Sequence, residues 1–433
     1  MERSRSQSLS RAIAAGFGLV VALATGELAV RLIAAFSLDV RHLSTPRTGV
    51  SPQRFRSLEE YLASKPEHVV PHRRWFNYWT NALGFNDEEF VVPKPAGRFR
   101  IMAVGDSATY GLVPYPQNVM TVLEDSLRAA CPERELDLLN FGIAATGVDD
   151  YRAVIELGLA TYEPDLVLIN FYAGNDAPNL HAYAHGRGRG LRRTLLGHSY
   201  LWTYARNVLR LRRSVPDLHG LVGSVQRPAP AGLPPGERPL GGRVVDPDLR
   251  LRDDDPALVG PVFDEQAFTK ILAEELGLFY VLGYAGEVGL PWRRTLEELE
   301  AARAYVVGHG ARLVITLYPS VLQVDANLRA ALIDKVRSRH PELTPDVIEP
   351  SLPNRVVAGY CRAQGLPCFD LTPAFVRASQ ESVEPLYKAR DAHWTPRGNR
   401  VAAQAQAGHL APLVCPASGP TSGRDVETRL GAH

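Results

Sequence analysis

The sequence predicts a three-layer α/β/α fold, a central and mainly parallel sheet with helices on both faces. Short apolar runs such as Ile101-Met102-Ala103-Val104 and Leu166-Val167-Leu168-Ile169 read as strands buried on both sides. Amphipathic stretches separate these runs, as crossover helices between parallel strands require. Polar and glycine-bearing motifs stand directly behind the strand ends, at Gly105-Asp106-Ser107, Gly142 and Gly174-Asn175-Asp176. Open α/β sheets bind their ligands there.

Residues 1–40 stand outside this pattern. Arg3, Arg5 and Arg11 precede an uncharged stretch from Ala12 to Gly26, and the apolar pattern continues past Glu27 and Arg31 to Phe36. A hydrocarbon core of ~30 Å needs ~20 helical residues, so the segment is long enough for a membrane anchor. Glu27 and Arg31, four apart, pair on one helix face. Ala22-Leu23-Ala24 offers the alternative of a cleaved signal peptide. Either reading exports the rest of the chain, and the uncleaved anchor is the one expected here. An amphipathic helix on a cytosolic protein is the third reading.

Residues 41–98 read as a linker and lead-in whose Trp75, Phe76, Tyr78 and Trp79 pack against the main domain, which runs from 99 to 415. That domain starts with strand 100–105, helix 117–130, strand 136–141, helix 150–161 and strand 165–172. It resumes with helix 293–308, strand 311–318, helices 325–339 and 351–364, strand 367–371 and helix 396–411. An insertion at about 177–262 interrupts the series. It opens on Gly186-Arg187-Gly188-Arg189-Gly190, carries Arg206, Arg210 and Arg213 at helical spacing beside Trp202 and Leu209, and turns Pro- and Gly-rich from Pro228 to Gly242. The basic stretch is a solvated helix face, or alternatively a contact to anionic lipid. The 228–256 segment is expected to be a mobile loop. Residues 416–433 read as a disordered tail.

With 433 residues, 45% of them hydrophobic, the chain can bury a large core. A formal net charge of +1 gives no reason to expect a nucleic-acid partner. The four cysteines, Cys131, Cys361, Cys368 and Cys415, form no CxxC motif and point to no zinc site. Cys361 and Cys368 are the expected pair, as a helix end and the following strand meet there, with buried free thiols the alternative. No metal or cofactor is expected.

The candidate site begins with Ser107. A serine hydroxyl is a weak nucleophile at neutral pH and needs a base, an orienting carboxylate and donors for the oxyanion. His393 supplies the base, Asp391 the orienting carboxylate, and the Ser107 and Gly142 N–H groups with the Asn175 amide the oxyanion donors. Asp106 shapes the serine turn, and Asp176 braces or caps the Asn175 loop. Each residue alone has an ordinary explanation as a turn, cap or surface pair. Their order and their places at strand ends make the conjunction specific.

These blocks resemble the SGNH hydrolases, also called GDSL-type esterases: Ser107 in GDSATYG, Gly142 in NFGIAATG, Asn175 in AGND and His393 in DAHWTPRGN. The stretch Asn81 to Asp87 followed by Pro93-Lys94-Pro95 resembles the lead-in of membrane-anchored bacterial members. The resemblance implies an SGNH or flavodoxin-like fold and the triad and oxyanion roles just given. Two features depart from the family pattern. One residue rather than two separates Asp391 from His393, and Ala108 stands where the family's older name has leucine.

The expectation is an exported, membrane-anchored serine esterase acting on an O-acyl or O-acetyl ester of a small molecule, glycan or lipid. One rival is an O-acyltransferase acting on an envelope polysaccharide or lipid with the same residues. The other is a non-catalytic envelope binding protein on the same scaffold.

Overall fold

Five parallel strands form the centre of the molecule, seen in a computed structural model that describes residues 18, 21–33, 55–65, 68–177, 201, 205, 241–245, 251–279, 289–338, 341 and 344–415. After a short helix α1 (Leu58–Ala63) and a hairpin of β1 (Arg74–Trp75) and β2 (Tyr78–Trp79), the sheet strands are β3 (Phe99–Gly105), β4 (Leu136–Gly142), β5 (Leu166–Tyr172), β6 (Arg312–Tyr318) and β7 (Cys368–Asp370). Their spatial order is β4-β3-β5-β6-β7. Every neighbouring pair is parallel. Ile101 to Val104 and Leu166 to Ile169 are wholly buried, the mark of strands covered on both faces.

The main helices are α2 (Ser107–Tyr110), α3 (Val119–Ala130), α4 (Val148–Tyr162), α5 (Glu265–Leu276), α6 (Gly289–Gly308), α7 (Ala326–Val336), α8 (Leu352–Gln364), α9 (Thr372–Glu381) and α10 (Pro396–Val414). α3 packs against α10, and α10 against α9; α4 packs against α6, and α6 against α8. The expected strands and helices are present with ends shifted by a few residues. α1, the β1–β2 hairpin, α5 and α9 are additions.

The strand order reverses at β3, where β4 lies on one side and β5 on the other. In doubly wound sheets this switch point opens a crevice at the carboxyl ends of the strands. Gly105, Gly142 and Asn170 lie in register across it, so the motifs that follow β3, β4 and β5 leave the sheet side by side.

The lead-in is fastened to this end of the sheet. Trp75 Nε1 donates to Gly111 O at 3.2 Å, and its ring meets Tyr110 edge-on at 5.4 Å. Residues 241–245, inside the expected loop 228–256, instead pair with the hairpin: Trp79 N–H donates to Arg243 O, Gly242 N–H to Trp79 O and Val245 N–H to Asn77 O. Pro256 then opens a short helix, Pro256–Val259, at a first-turn position where proline is tolerated. The expected basic helix with Trp202, Arg206, Leu209, Arg210 and Arg213, and the tail 416–433, lie outside the described residues.

Residues 21–33 are helical, and Arg31 Nε lies 2.8 Å from Glu27 Oε1, the expected pairing. Among the described residues no helix is long and apolar enough to cross a membrane. The cysteine pairing differs from expectation. Cys131 and Cys415 form the disulfide, 284 residues apart, while Cys361 and Cys368 are thiols. The helix end and the following strand do meet, with the Cys368 thiol beside Cys361, but as thiols, whereas the packing of α3 on α10 brings the two bonded cysteines together.

Candidate active site

Ser107 is the first residue of α2, directly after β3. Asp106 caps this helix, its Oδ1 accepting the Ala108 N–H at 2.9 Å. Gly105 must lack a side chain, because a Cβ there would lie 2.0 Å from Thr109 Oγ1. The turn therefore presents the serine at a fixed place over the switch point.

His393 reaches it from the other end of the chain. Residues 386–388 and 393–395 face each other: Lys388 N–H donates to His393 O at 2.9 Å, and Thr395 N–H donates to Leu386 O at 3.0 Å. Thr395 then caps α10 through the Gly398 N–H, with Pro396 at the first helical position. The histidine thus sits on a loop pinned at both ends.

His393 Nε2 lies 2.7 Å from Ser107 Oγ, and His393 Nδ1 lies 2.7 Å from Asp391 Oδ1. The carboxylate is 1% exposed and holds the imidazole with its proton on Nδ1, leaving Nε2 as acceptor. Asp391 Oδ1 also receives the His393 backbone N–H at 3.4 Å. The i, i+2 spacing works because the chain turns and bends through 389–393, with Arg390 at φ 49° and the Asp391 N–H donating to Lys388 O at 3.2 Å, which brings both side chains together.

The electrostatics follow from this contact. Burial works against the charged imidazole, but the charge and hydrogen bond of Asp391 outweigh it and hold His393 above its usual range. Burial likewise opposes ionisation of Asp391, and His393 with Lys388 pulls it below the ordinary carboxylate range. Lys388 is itself pushed down to about 8 by burial, with Asp391 resisting. Its Nζ donates to Leu112 O at 2.6 Å, tying the histidine loop to the segment behind α2. No sequence motif marks Lys388.

Asn175 lies exposed behind β5, and its side chain hydrogen-bonds Asp106. Asp176 braces the loop from below: Oδ1 accepts the Tyr151 hydroxyl and Oδ2 the Tyr172 N–H, each at 2.6 Å. Burial raises Asp106 and, further, Asp176 above their usual values.

Gly142 departs from its expected part. Its N–H donates to Asn140 Oδ1 at 2.9 Å and is already engaged. The missing side chain serves packing, since a Cβ would lie 2.2 Å from Tyr110 N. The turn that follows holds Ala145 at φ 57°, an uncommon conformation for a residue with a side chain.

Residues 291–432, about a third of the chain, match the family described as the SGNH hydrolase-like domain of acetyltransferase AlgX. The resemblance to SGNH hydrolases read from the sequence therefore holds, and the matched stretch includes Asp391 and His393. No curated protein matches the chain. Among solved structures, the chain is similar to LAE5, an alpha/beta hydrolase enzyme from the metagenome of Lake Arreo, at 15% identity and a TM-score of 0.35, covering 73% of this chain and 98% of that one. A variant of Axe2, an acetyl xylan esterase from Geobacillus stearothermophilus, matches at 12% identity, TM-score 0.35, with 72% and 95% coverage. The lipase/acylhydrolase from Enterococcus faecalis matches at 12% identity, TM-score 0.33, with 73% and 96% coverage.

Proposed function

We propose that the chain is an exported serine esterase that cleaves an O-acyl ester through an acyl-enzyme. The observation that carries this reading is the continuous relay Ser107 Oγ, His393 Nε2, His393 Nδ1, Asp391 Oδ1, with both contacts at 2.7 Å. His393 takes the Ser107 proton as Oγ bonds to the ester carbonyl carbon, and Asp391 stabilises the imidazolium that forms. His393 then gives that proton to the departing alkoxide as the carbon–oxygen bond breaks. Water, deprotonated by His393, then bonds to the acyl carbon, and His393 returns the proton to Ser107 Oγ as the acyl–serine bond breaks and the acid leaves.

The oxyanion is held by the Ser107 N–H at the start of α2 and by the Asn175 side-chain amide. With the Gly142 N–H engaged by Asn140, the backbone donor of this reading is the Ala145 N–H, in the left-handed turn behind β4. Such strained conformations concentrate at functional sites. Export is supported by the basic residues ahead of the apolar N-terminal run and by the Cys131–Cys415 disulfide, a bond of oxidising compartments.

The family match to an acetyltransferase domain favours a second reading, in which a sugar hydroxyl instead of water takes the acyl group. Both readings share every step up to the acyl-serine. Hydrolysis of p-nitrophenyl acetate by the full-length chain, with fluorophosphonate labelling, tests that shared part. Loss of both in Ser107→Ala is expected. Turnover and labelling that persist in Ser107→Ala sink both readings. Product formed only when a glycan acceptor is added decides for transfer.

A further inference from the structure

Glu275 comes from α5, at the return from the insertion, and is 4% exposed. Its Oε2 accepts the Ser320 hydroxyl at 2.5 Å, and its Oε1 accepts the Tyr172 hydroxyl at 3.4 Å. Tyr172 ends β5, and Ser320 follows β6 and caps the short helix Val321–Val324. Gly174 lies flat on the same carboxylate, since a Cβ there would be 2.7 Å from Glu275 Oε2 and 2.5 Å from Tyr172 Cε1. One buried carboxylate therefore ties together two strand ends and the residue preceding Asn175.

We propose that Glu275 is a positioning residue: through Tyr172, Ser320 and Gly174 it fixes the Asn175 loop against the Ser107 turn. The inference rests on the reading of Ser107, His393 and Asn175 as an acyl-transfer site. The groups facing Glu275 are Tyr172 from β5, Ser320 behind β6, Asp106 from the serine turn, and Tyr387 and His393 from the histidine loop. Burial lifts Glu275 to about 7, the hydrogen bonds of Ser320 and Tyr172 and the charge of His393 pull it down, and Asp106 adds to the rise. A group serving only to hold the fold together would be better replaced here by a neutral one of the same shape, because a buried carboxylate is costly to desolvate.

That contrast supplies the test. Full-length wild type, Glu275→Gln and Ser320→Ala are compared for p-nitrophenyl acetate turnover across pH and for thermal midpoint at pH 8, with fluorophosphonate labelling rate replacing kcat if turnover is too slow. Glu275→Gln is expected to lower kcat about 10- to 100-fold with KM nearly unchanged, the scale of a small misplacement of catalytic groups. Its acid limb moves to lower pH, because the imidazolium loses a neighbouring negative charge. Its midpoint at pH 8 stays or rises. Ser320→Ala, which keeps the carboxylate and removes one tether, gives a smaller fall in kcat. Wild-type kcat and an unmoved limb in Glu275→Gln would overturn the inference, as would a lost rate accompanied by a lowered midpoint. Ser107→Ala is run alongside: if it keeps activity, the acyl-transfer reading fails, and if it alone is dead, only the role of Glu275 does.

Discussion

Asp391 and His393 are separated by one residue, and the consequence is that a single carboxylate oxygen reaches both the imidazole Nδ1 and the backbone N–H of the histidine. Orientation and charge stabilisation therefore come from one atom. Asp391→Asn keeps the size of the side chain but removes its charge and can impose the wrong tautomer, so kcat is expected to fall by about 10³- to 10⁴-fold. The same change takes away the largest influence that raises His393. In wild type the acid limb lies above the ordinary imidazole value, because Nε2 accepts a proton from Ser107 only when neutral; in Asp391→Asn it moves down. A pH–rate profile of the two proteins checks both statements, and an unmoved limb would mean that another group orients the ring. Ser107, His393, Asp391 and Asn175 could be singled out in the sequence only as an ordered conjunction, since each alone reads as a turn, cap or surface pair. The engagement of Gly142 was not legible, since it depends on the side-chain placement of Asn140 two residues earlier. Glu275 and Lys388 sit in stretches to which the sequence assigned no element, and only tertiary packing brings them to the site.

At the scale of elements, the sheet was legible strand by strand because buried parallel strands need unbroken apolar runs. The hairpin Arg74–Trp79 was not, since its two strands are two residues each and the 241–245 segment that hydrogen-bonds to it lies far along the chain. The cysteine pairing failed for a related reason. Cys361 and Cys368 are near in sequence, but Cys131 is the C-cap of α3 and Cys415 the C-cap of α10, two helices packed on each other. The bond clamps the layer that carries Asn399, whose Oδ1 accepts the Val119 N–H at the start of α3, six residues after His393. Closing so long a loop restricts the unfolded chain strongly, and a stabilisation of about 2–5 kcal/mol is typical. Cys131→Ser is therefore expected to lower the unfolding midpoint in denaturant, while reductant no longer affects the variant. A midpoint equal to that of oxidised wild type would show that the helix packing alone holds the two ends.

For the whole molecule, the buried carboxylates set how stability depends on pH. Burial raises Asp87, Asp106 and Asp176 above their usual values and lifts Glu124 and Glu275 from 4.5 to about 7. A carboxyl raised on folding binds its proton more tightly in the native state, so stability falls as pH climbs from the unfolded value through the folded one. For Glu124 and Glu275 that window runs from about 4.5 to about 7, and a rise of this size corresponds to about 3 kcal/mol each as an upper scale. His393 acts in the same direction. Its raised value contributes stability that is complete below the unfolded imidazole value and is lost as pH rises through the folded one. Asp391, held low, opposes the trend only at the acid end, where its contribution is lost as pH falls. The unfolding midpoint of the full chain is thus expected to drop between about pH 5 and pH 8, and to drop less in a Glu124→Gln, Glu275→Gln double variant. A midpoint in wild type that stays level or rises over that range would contradict the account. Because Ser107 needs a neutral His393, the proposed activity rises over the pH range in which stability declines.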